Sequence, residues 1–234
     1  MKKLLFAVLA VVATSYSASA ADMPVKAPAP IMVAPYNWTG FYVGISGGAG
    51  WGQSHHSVVG LTDFSDTFNV SGGIIGGTAG YNWQTGALVL GVEGDASYAS
   101  LSGSTMGVPP MFCPDGSPAS NCTTKLRGLE TLRLRVGYAW DRFMPYVTGG
   151  LAVGQIYAAT DPGSVNSGST SKATWTVGAG VEGAFDRNWS AKVEYLYADF
   201  GTLSSLFLRQ PGAFPFDVSL KTHIVRVGLN YKFN

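Results

Sequence analysis

The sequence predicts an all-β fold, an eight-stranded antiparallel transmembrane up-and-down β-barrel, and three observations predict it. The first is period-two alternation of bulky apolar and small or polar residues, the signature of a strand with two unlike faces, which recurs in eight segments. The second is the spacing of those segments, which are joined alternately by very short and by long connections. The third is composition. The chain of 234 residues holds 31 glycines and only 12% charged residues, about half the share usual in soluble domains, and beyond residue 20 no run is long and apolar enough for a spanning helix. A closed barrel is the other way for a chain to satisfy its backbone inside a bilayer.

The ends are read first. Lys2 and Lys3, the ten-residue apolar stretch 4–13 and Ala18-Ser19-Ala20 have the order of a secretory signal peptide, so 1–20 is expected to be cleaved. Without Lys2 and Lys3 the chain holds 13 basic residues against 14 acidic ones, and no basic surface for nucleic acid is expected. Residues 21–37 contain four prolines and follow neither period; they are expected to form a Pro-rich periplasmic linker, with the barrel occupying 38–234.

The first strand is predicted over 39–53, TGFYVGISGGAGWGQ. One parity carries Phe41, Val43, Ile45, Ala49 and Trp51, the other Tyr42, Ser46 and glycines. The bore of an eight-stranded barrel is just wide enough to be filled by side chains, so the nearly empty parity is the lumen face and the bulky parity meets lipid. The second strand, 70–84, sets Ile75, Ala79, Tyr81 and Trp83 outward and Gly76 and Gly80 inward. The third, 87–99, sets Leu88, Leu90, Val92, Ala96 and Tyr98 outward, with Glu93 and Asp95 inside. The fourth, 124–140, alternates Leu132, Leu134, Val136, Tyr138 and Trp140 with inward Arg133 and Arg135. The fifth, 145–159, exposes Val147, Leu151, Val153 and Tyr157 and turns Gly150 and Gly154 inward. The sixth, 173–185, exposes Trp175, Val177, Ala179, Val181 and Phe185 and hides Gly178, Gly180 and Glu182. The seventh, 189–200, exposes Trp189, Val193, Tyr195 and Tyr197, with Lys192 and Glu194 inside. The eighth, 219–233, exposes Val225, Val227, Leu229, Tyr231 and Phe233, with Arg226 inside.

Short turns are expected at Gln84-Thr85-Gly86, Asp141-Arg142-Phe143 and Asp186-Arg187-Asn188, and long connections at 54–69, 100–123, 160–172 and 201–218. Short periplasmic turns opposite long extracellular loops, with an even strand number returning both termini to the periplasm, is the pattern of bacterial outer-membrane barrels. The aromatics gather at the strand ends as two belts: Trp83, Tyr138, Trp140, Phe185, Trp189, Tyr231 and Phe233 beside the turns, and Trp51, Tyr98, Tyr157 and Trp175 toward the loops. Trp38 falls in the inward register.

The inward parity also carries Glu93, Asp95, Arg133, Arg135, Glu182, Lys192, Glu194 and Arg226. At about 2.5 Å of rise per tilted residue, Glu93, Arg133, Arg135, Glu194 and Arg226 meet near mid-height. Buried ions are tolerated when paired, so a salt-bridge plug is expected; a selectivity ring or catalytic cluster is the functional alternative. Cys113 and Cys122, in MFCPDGSPASNC, most simply form a disulfide across a short loop of an exported chain; metal binding by two lone cysteines is the weaker reading.

No other chemistry gathers. His55 and His56 open the first long connection and are weak candidates for a haem iron, the plainer reading being solvated loop histidines. His223 faces outward near the top of the eighth strand, with no serine and carboxylate in register to make it a hydrolase base. The glycines of GISGGAG and GGIIGG precede no helical period, so they make no phosphate loop. The chain is expected not to be an enzyme and to hold no cofactor or metal.

NWTGFYVG at 37–44, RLRVGYAWDRFMPYVTGGLAVG at 133–154, NWSAKVEYLYADFG at 188–201 and VRVGLNYKF at 225–233 resemble the outer-membrane immunogenic proteins of alphaproteobacteria, also called porin-family or opacity-like surface proteins. The resemblance covers essentially all of 37–234. It implies an eight-stranded barrel of the OmpA/OmpX type in the Gram-negative outer membrane, with surface-exposed antigenic loops. Roles attributed to members include envelope integrity, host contact, haemin binding and a weak pore. Tyr231 and Phe233 resemble the terminal aromatic signal read by the barrel-assembly machinery, although Asn234 follows here. The expected role is therefore structural and surface-interacting, with the lumen plugged; the alternatives are a small-solute porin or a haemin-binding transport component, and then an outer-membrane enzyme. The expected partners are outer-membrane lipid and lipopolysaccharide, the assembly machinery, and a host or surface ligand held by the loops.

Overall fold

A computed structural model describes residues 36–58, 67–106, 121–161, 166–203 and 216–233. The expected signal peptide, most of the expected linker, Cys113 and Asn234 lie outside the described residues. Eight strands follow in order: β1 Gly40–Val58, β2 Phe68–Thr85, β3 Leu88–Met106, β4 Asn121–Tyr138, β5 Phe143–Asp161, β6 Asn166–Ala184, β7 Trp189–Leu203 and β8 Phe216–Lys232. Each pairs antiparallel with its neighbour in sequence, and β1 closes on β8 from Tyr42↔Lys232 to Val58↔Phe216, making one closed barrel.

The three short turns stand where expected. Gly86 turns β2 into β3 at φ 61°, in the left-handed region where glycine costs least. Asp141 takes φ 51°, tolerable for a short polar side chain, and Trp140 and Phe143 close that turn with reciprocal bonds of 2.7 and 2.9 Å. We call this rim the turn end and the opposite rim the loop end.

At the loop end every strand is longer than its alternation predicts. β3 runs on to Met106, and β6 begins at Asn166 rather than 173. The added β6 stretch pairs residue by residue with β5, from Thr160↔Asn166 to Gly154↔Lys172. Its composition, Ser, Gly, Thr and Asn, is that of a loop because both faces there are polar or small, and period-two contrast vanishes although the backbone ladder continues. His55 and His56 lie in this extension of β1, not in a loop as the sequence reading had them.

Three register shifts interrupt the ladders near the loop end: Tyr98/Leu101 between β3 and β4, Leu126/Gly128 between β4 and β5, and Asp199/Thr202 between β7 and β8. The second changes the parity of β4. Turnward of it Leu129, Thr131, Arg133 and Arg135 point inward; loopward, Cys122, Thr124 and Leu126 do. An extra residue in one strand does this.

The outer wall is apolar. Ile45, Ile75 and Leu134 are 67%, 66% and 67% exposed, which is a poor arrangement in water and the normal one against lipid. The small inward residues let the walls approach: a Cβ on Gly48 would overlap the carbonyl of Val225 and stand 2.6 Å from the Cα of Arg226.

Candidate functional site

The lumen is filled in three tiers, and the middle one is ionic. Four carboxylates, Glu93, Asp95, Glu182 and Glu194, meet four cations, Arg133, Arg135, Lys192 and Arg226, all buried. Register brings some together: Glu93 lies opposite Arg133, Glu182 opposite Lys192, and Glu194 opposite Arg226. The bonds then cross the bore. Lys192 of β7 passes over Glu182 to reach Glu93 of β3 at 2.7 Å, joining walls four strands apart. Arg226 of β8 takes both oxygens of Asp95 of β3 at 3.0 Å and Glu194 at 2.7 Å. Arg133 of β4 binds Glu93 at 2.6 Å, Asp95 at 2.9 Å and Glu194 at 3.0 Å. Arg135 binds Glu182 at 2.6 Å and lies 3.9 Å above the Tyr146 ring.

Sequence parity finds all eight ions, and the structure brings all eight together. It did not find the neutral groups that complete them. Tyr42 donates to Glu93 at 2.7 Å, Tyr146 to Glu194 at 3.0 Å, Thr131 to Asp95 at 2.5 Å, and Ser190 and Asn230 to Glu182 at 2.6 and 2.8 Å. Each shares the inward parity of the ions, and that was the available signal. All four carboxylates are thus held by cations and by hydroxyl or amide donors, and the bonds join β3, β4, β6, β7 and β8 across the bore.

Above it, toward the loop end, lies an apolar tier that includes Ile74, Leu101, Leu126, Leu129, Ile156, Leu196, Phe200 and Ile224. Sequence reasoning, which treated the inward face as small or charged, missed it; four of its members, Leu101, Leu126, Leu129 and Phe200, stand at or next to register shifts. Below the ions, Trp38, Val89, Met144, Tyr146 and Ala184 close the turn end. Trp38 lies inward as expected, its backbone N–H donating to Gln84 Oε1 at 2.7 Å and its indole to the Asp141 carbonyl at 3.4 Å. Tyr36 packs edge-on against it at 4.8 Å; burial first, and then the charge of Glu182, push its phenol up to about 12. The barrel's mouth thus takes in Tyr36 and Asn37, which the sequence reading gave to the linker.

The remaining candidates do not converge. His56 is buried inside the loop end, 2.8 Å from Thr124 Oγ1 and 5.4 Å edge-on to Phe68. Neighbouring strand residues point to opposite faces, so His55 and His56 do not form one axial ligand pair. His223 faces outward, 2.7 Å from the Tyr195 hydroxyl and stacked on Trp51 at 6.0 Å. Cys122 is buried at the start of β4. No group of three His, Cys, Asp or Glu among the described residues is arranged to hold a metal ion. Phe233 packs on Phe41 at 5.7 Å and Tyr231 at 5.2 Å on the outer wall.

The chain is similar to known proteins over its whole length. The outer membrane protein beta-barrel domain matches residues 6–233. A 31 kDa outer-membrane immunogenic protein of Brucella melitensis is 37% identical over 256 residues, covering 100% of both chains. A 25 kDa outer-membrane immunogenic protein of Brucella abortus is 34% identical, covering 94% of this chain and 92% of its own. Among solved structures, the outer membrane protein OprG of Pseudomonas aeruginosa matches 85% of this chain and 98% of its own at 12% identity, with a TM-score of 0.48.

Proposed function

Because the chain belongs to the outer membrane protein β-barrel family and so resides in the outer membrane, we propose that it serves there as a closed structural and surface-interaction barrel, a rigid mount for long extracellular connections rather than a conduit. The observation that carries this reading is the filled bore: an apolar tier, an ionic cross-brace and an aromatic mouth lie one above another. Solute passage needs an aqueous lumen, which wider barrels have. The Brucella relatives are named as outer-membrane immunogenic proteins, and the reading assigns surface exposure to the loop-end connections of this chain, of which 59–67, 107–120 and 204–215 are long, while the expected long connection at 160–172 shrinks to 162–165 because β5 and β6 run on to Asp161 and from Asn166.

In this reading the protein is not an enzyme, residues 1–20 are removed on export, Tyr231 and Phe233 present the terminal aromatic signal to the assembly machinery, and any host or surface ligand is met by the loops. Two measurements test it. Purified protein in planar bilayers is expected to give no stepwise currents, and steady single-channel conductance would replace the closed barrel with a pore. Protease shaving of intact cells is expected to release peptides from the long loop-end connections 59–67, 107–120 and 204–215; cleavage confined to the turn end would invert the orientation.

A further inference from the structure

The register shift in β4 has an outward result as well as an inward one. Continued parity from Leu132 and Glu130 would turn Arg127 and Lys125 into the lumen. The shift at Leu126/Gly128 instead sends Leu126 and Thr124 inward and both cations outward. Arg127 is exposed and lies over the Tyr157 ring of β5 at 4.6 Å, while Lys125 sits directly opposite Tyr157. Among the described residues neither cation makes an ion pair.

Height gives this pair a meaning. On β5 the outward apolar band runs from Phe143 to Val153, ten residues or about 25 Å of axial rise, the usual height of the lipid-facing belt. Gln155 and Tyr157 come next, level with the two cations on β4. Ser102 of β3 lies opposite Lys125, and Ser169 and Ser171 of β6 lie opposite Tyr157 and Gln155. Two cations, one of them held by an aromatic face, with hydroxyl and amide donors on both sides, thus stand at headgroup depth just above the apolar wall. Arginine binds phosphate bidentately, and bulges commonly re-aim a side chain at barrel rims.

We infer that Lys125 and Arg127, with Tyr157 and Gln155 of β5, form a docking site for the phosphate of an outer-leaflet lipid. The charge and the donors suit a phosphate monoester, and Leu151 and Val153 of β5 with Leu132 of β4 beneath suit its acyl chains, with Glu130 exposed on β4 opposite Val153 at the top of that wall. The inference rests on the outer-membrane placement and not on the closed lumen, so a conducting barrel would leave it standing.

The test uses the full barrel in phosphatidylcholine nanodiscs doped with lipid A carrying both phosphates, or with the same lipid after its phosphates are removed, and counts retained lipid by native mass spectrometry. Wild-type protein is expected to retain the phosphorylated lipid about tenfold over the dephosphorylated one, the ratio expected of one or two charge-assisted bonds. Lys125→Ala/Arg127→Ala is expected to abolish that preference. Lys221→Ala, which removes a cation of similar height on β8, is expected to keep it. Heat-modified gel migration verifies that each variant is folded; should the double variant not fold, Arg127→Gln alone is expected to lower the preference several-fold. Equal retention of the two lipids by wild type, an unchanged ratio in Lys125→Ala/Arg127→Ala or, where that does not fold, in Arg127→Gln, or an equal loss in Lys221→Ala would overturn the site. Displacement by millimolar inorganic phosphate would overturn its assignment to a lipid.

Discussion

Arg135→Ala tests the cross-brace most directly, because this arginine touches the network and the mouth together. It loses a 2.6 Å bond to Glu182, a 3.4 Å contact with Glu93 and a 3.0 Å bond to the Tyr42 hydroxyl, along with its stack on Tyr146 at 3.9 Å. Glu182 keeps Ser190 and Asn230 but no cation among its bonded partners. Removing one partner of a buried pair costs about 3–5 kcal/mol. The stack, about 2 kcal/mol when desolvated, overlaps that figure, so the expected loss is about 3–5 kcal/mol in all. Equilibrium urea unfolding in lipid vesicles, followed by tryptophan fluorescence, measures it. Arg135→Lys, which keeps the charge and loses the planar fork, is expected to fall between wild type and alanine. Conductance is expected to stay at baseline, because the apolar tier above is untouched. A loss below about 1 kcal/mol, the range of exposed pairs, would refute the reasoning that these ions brace one another away from water.

Other expectations concern packing and closure. Gly48→Ala is expected to sharply reduce the heat-modifiable folded form, since the methyl meets the β8 backbone, whereas Gly77→Ala, whose Cβ finds its nearest atom 3.8 Å away, should fold normally. Trp38→Ala empties the turn-end mouth and is expected to lower stability by about 3–5 kcal/mol, read from the same urea curves. Cys113 and Cys122 are expected to appear as one linked peptide in a non-reducing digest; replacing both with serine should leave insertion intact and lower stability by at most about 2–3 kcal/mol.

Much of the barrel was legible because the bilayer enforces a simple code. A strand between lipid and a narrow bore must alternate, as Leu132 to Tyr138 and Val225 to Phe233 do, and the eight inward ions stood out against glycine. The code fails where its cause ends. Above the apolar band neither face need be apolar, so Asn166 to Ser171 read as loop while forming a strand. At register shifts parity changes without a compositional mark: nothing in Leu126, Arg127, Gly128 and Leu129 announces which residue is extra. The hydroxyl partners escaped for another reason. Tyr42 and Tyr146 stood on the inward parity but carry no charge, and only the cross-bore distances reveal what they bind.

The cross-brace also bears on how the barrel is made. Its bonds join residues far apart in sequence, 99 positions for Lys192 and Glu93 and 131 for Arg226 and Asp95, so they form when β3, β7 and β8 come into one wall and not before. Long-range pairing of this kind is slow. In the open chain those eight ions are hydrated, which opposes collapse of the apolar strands onto one another during passage through water. On closure the same charges pair with one another inside the lumen, out of contact with both water and lipid. The cross-bore pairs are therefore complete only in the closed barrel, so burial of these eight ions is coupled to strand closure.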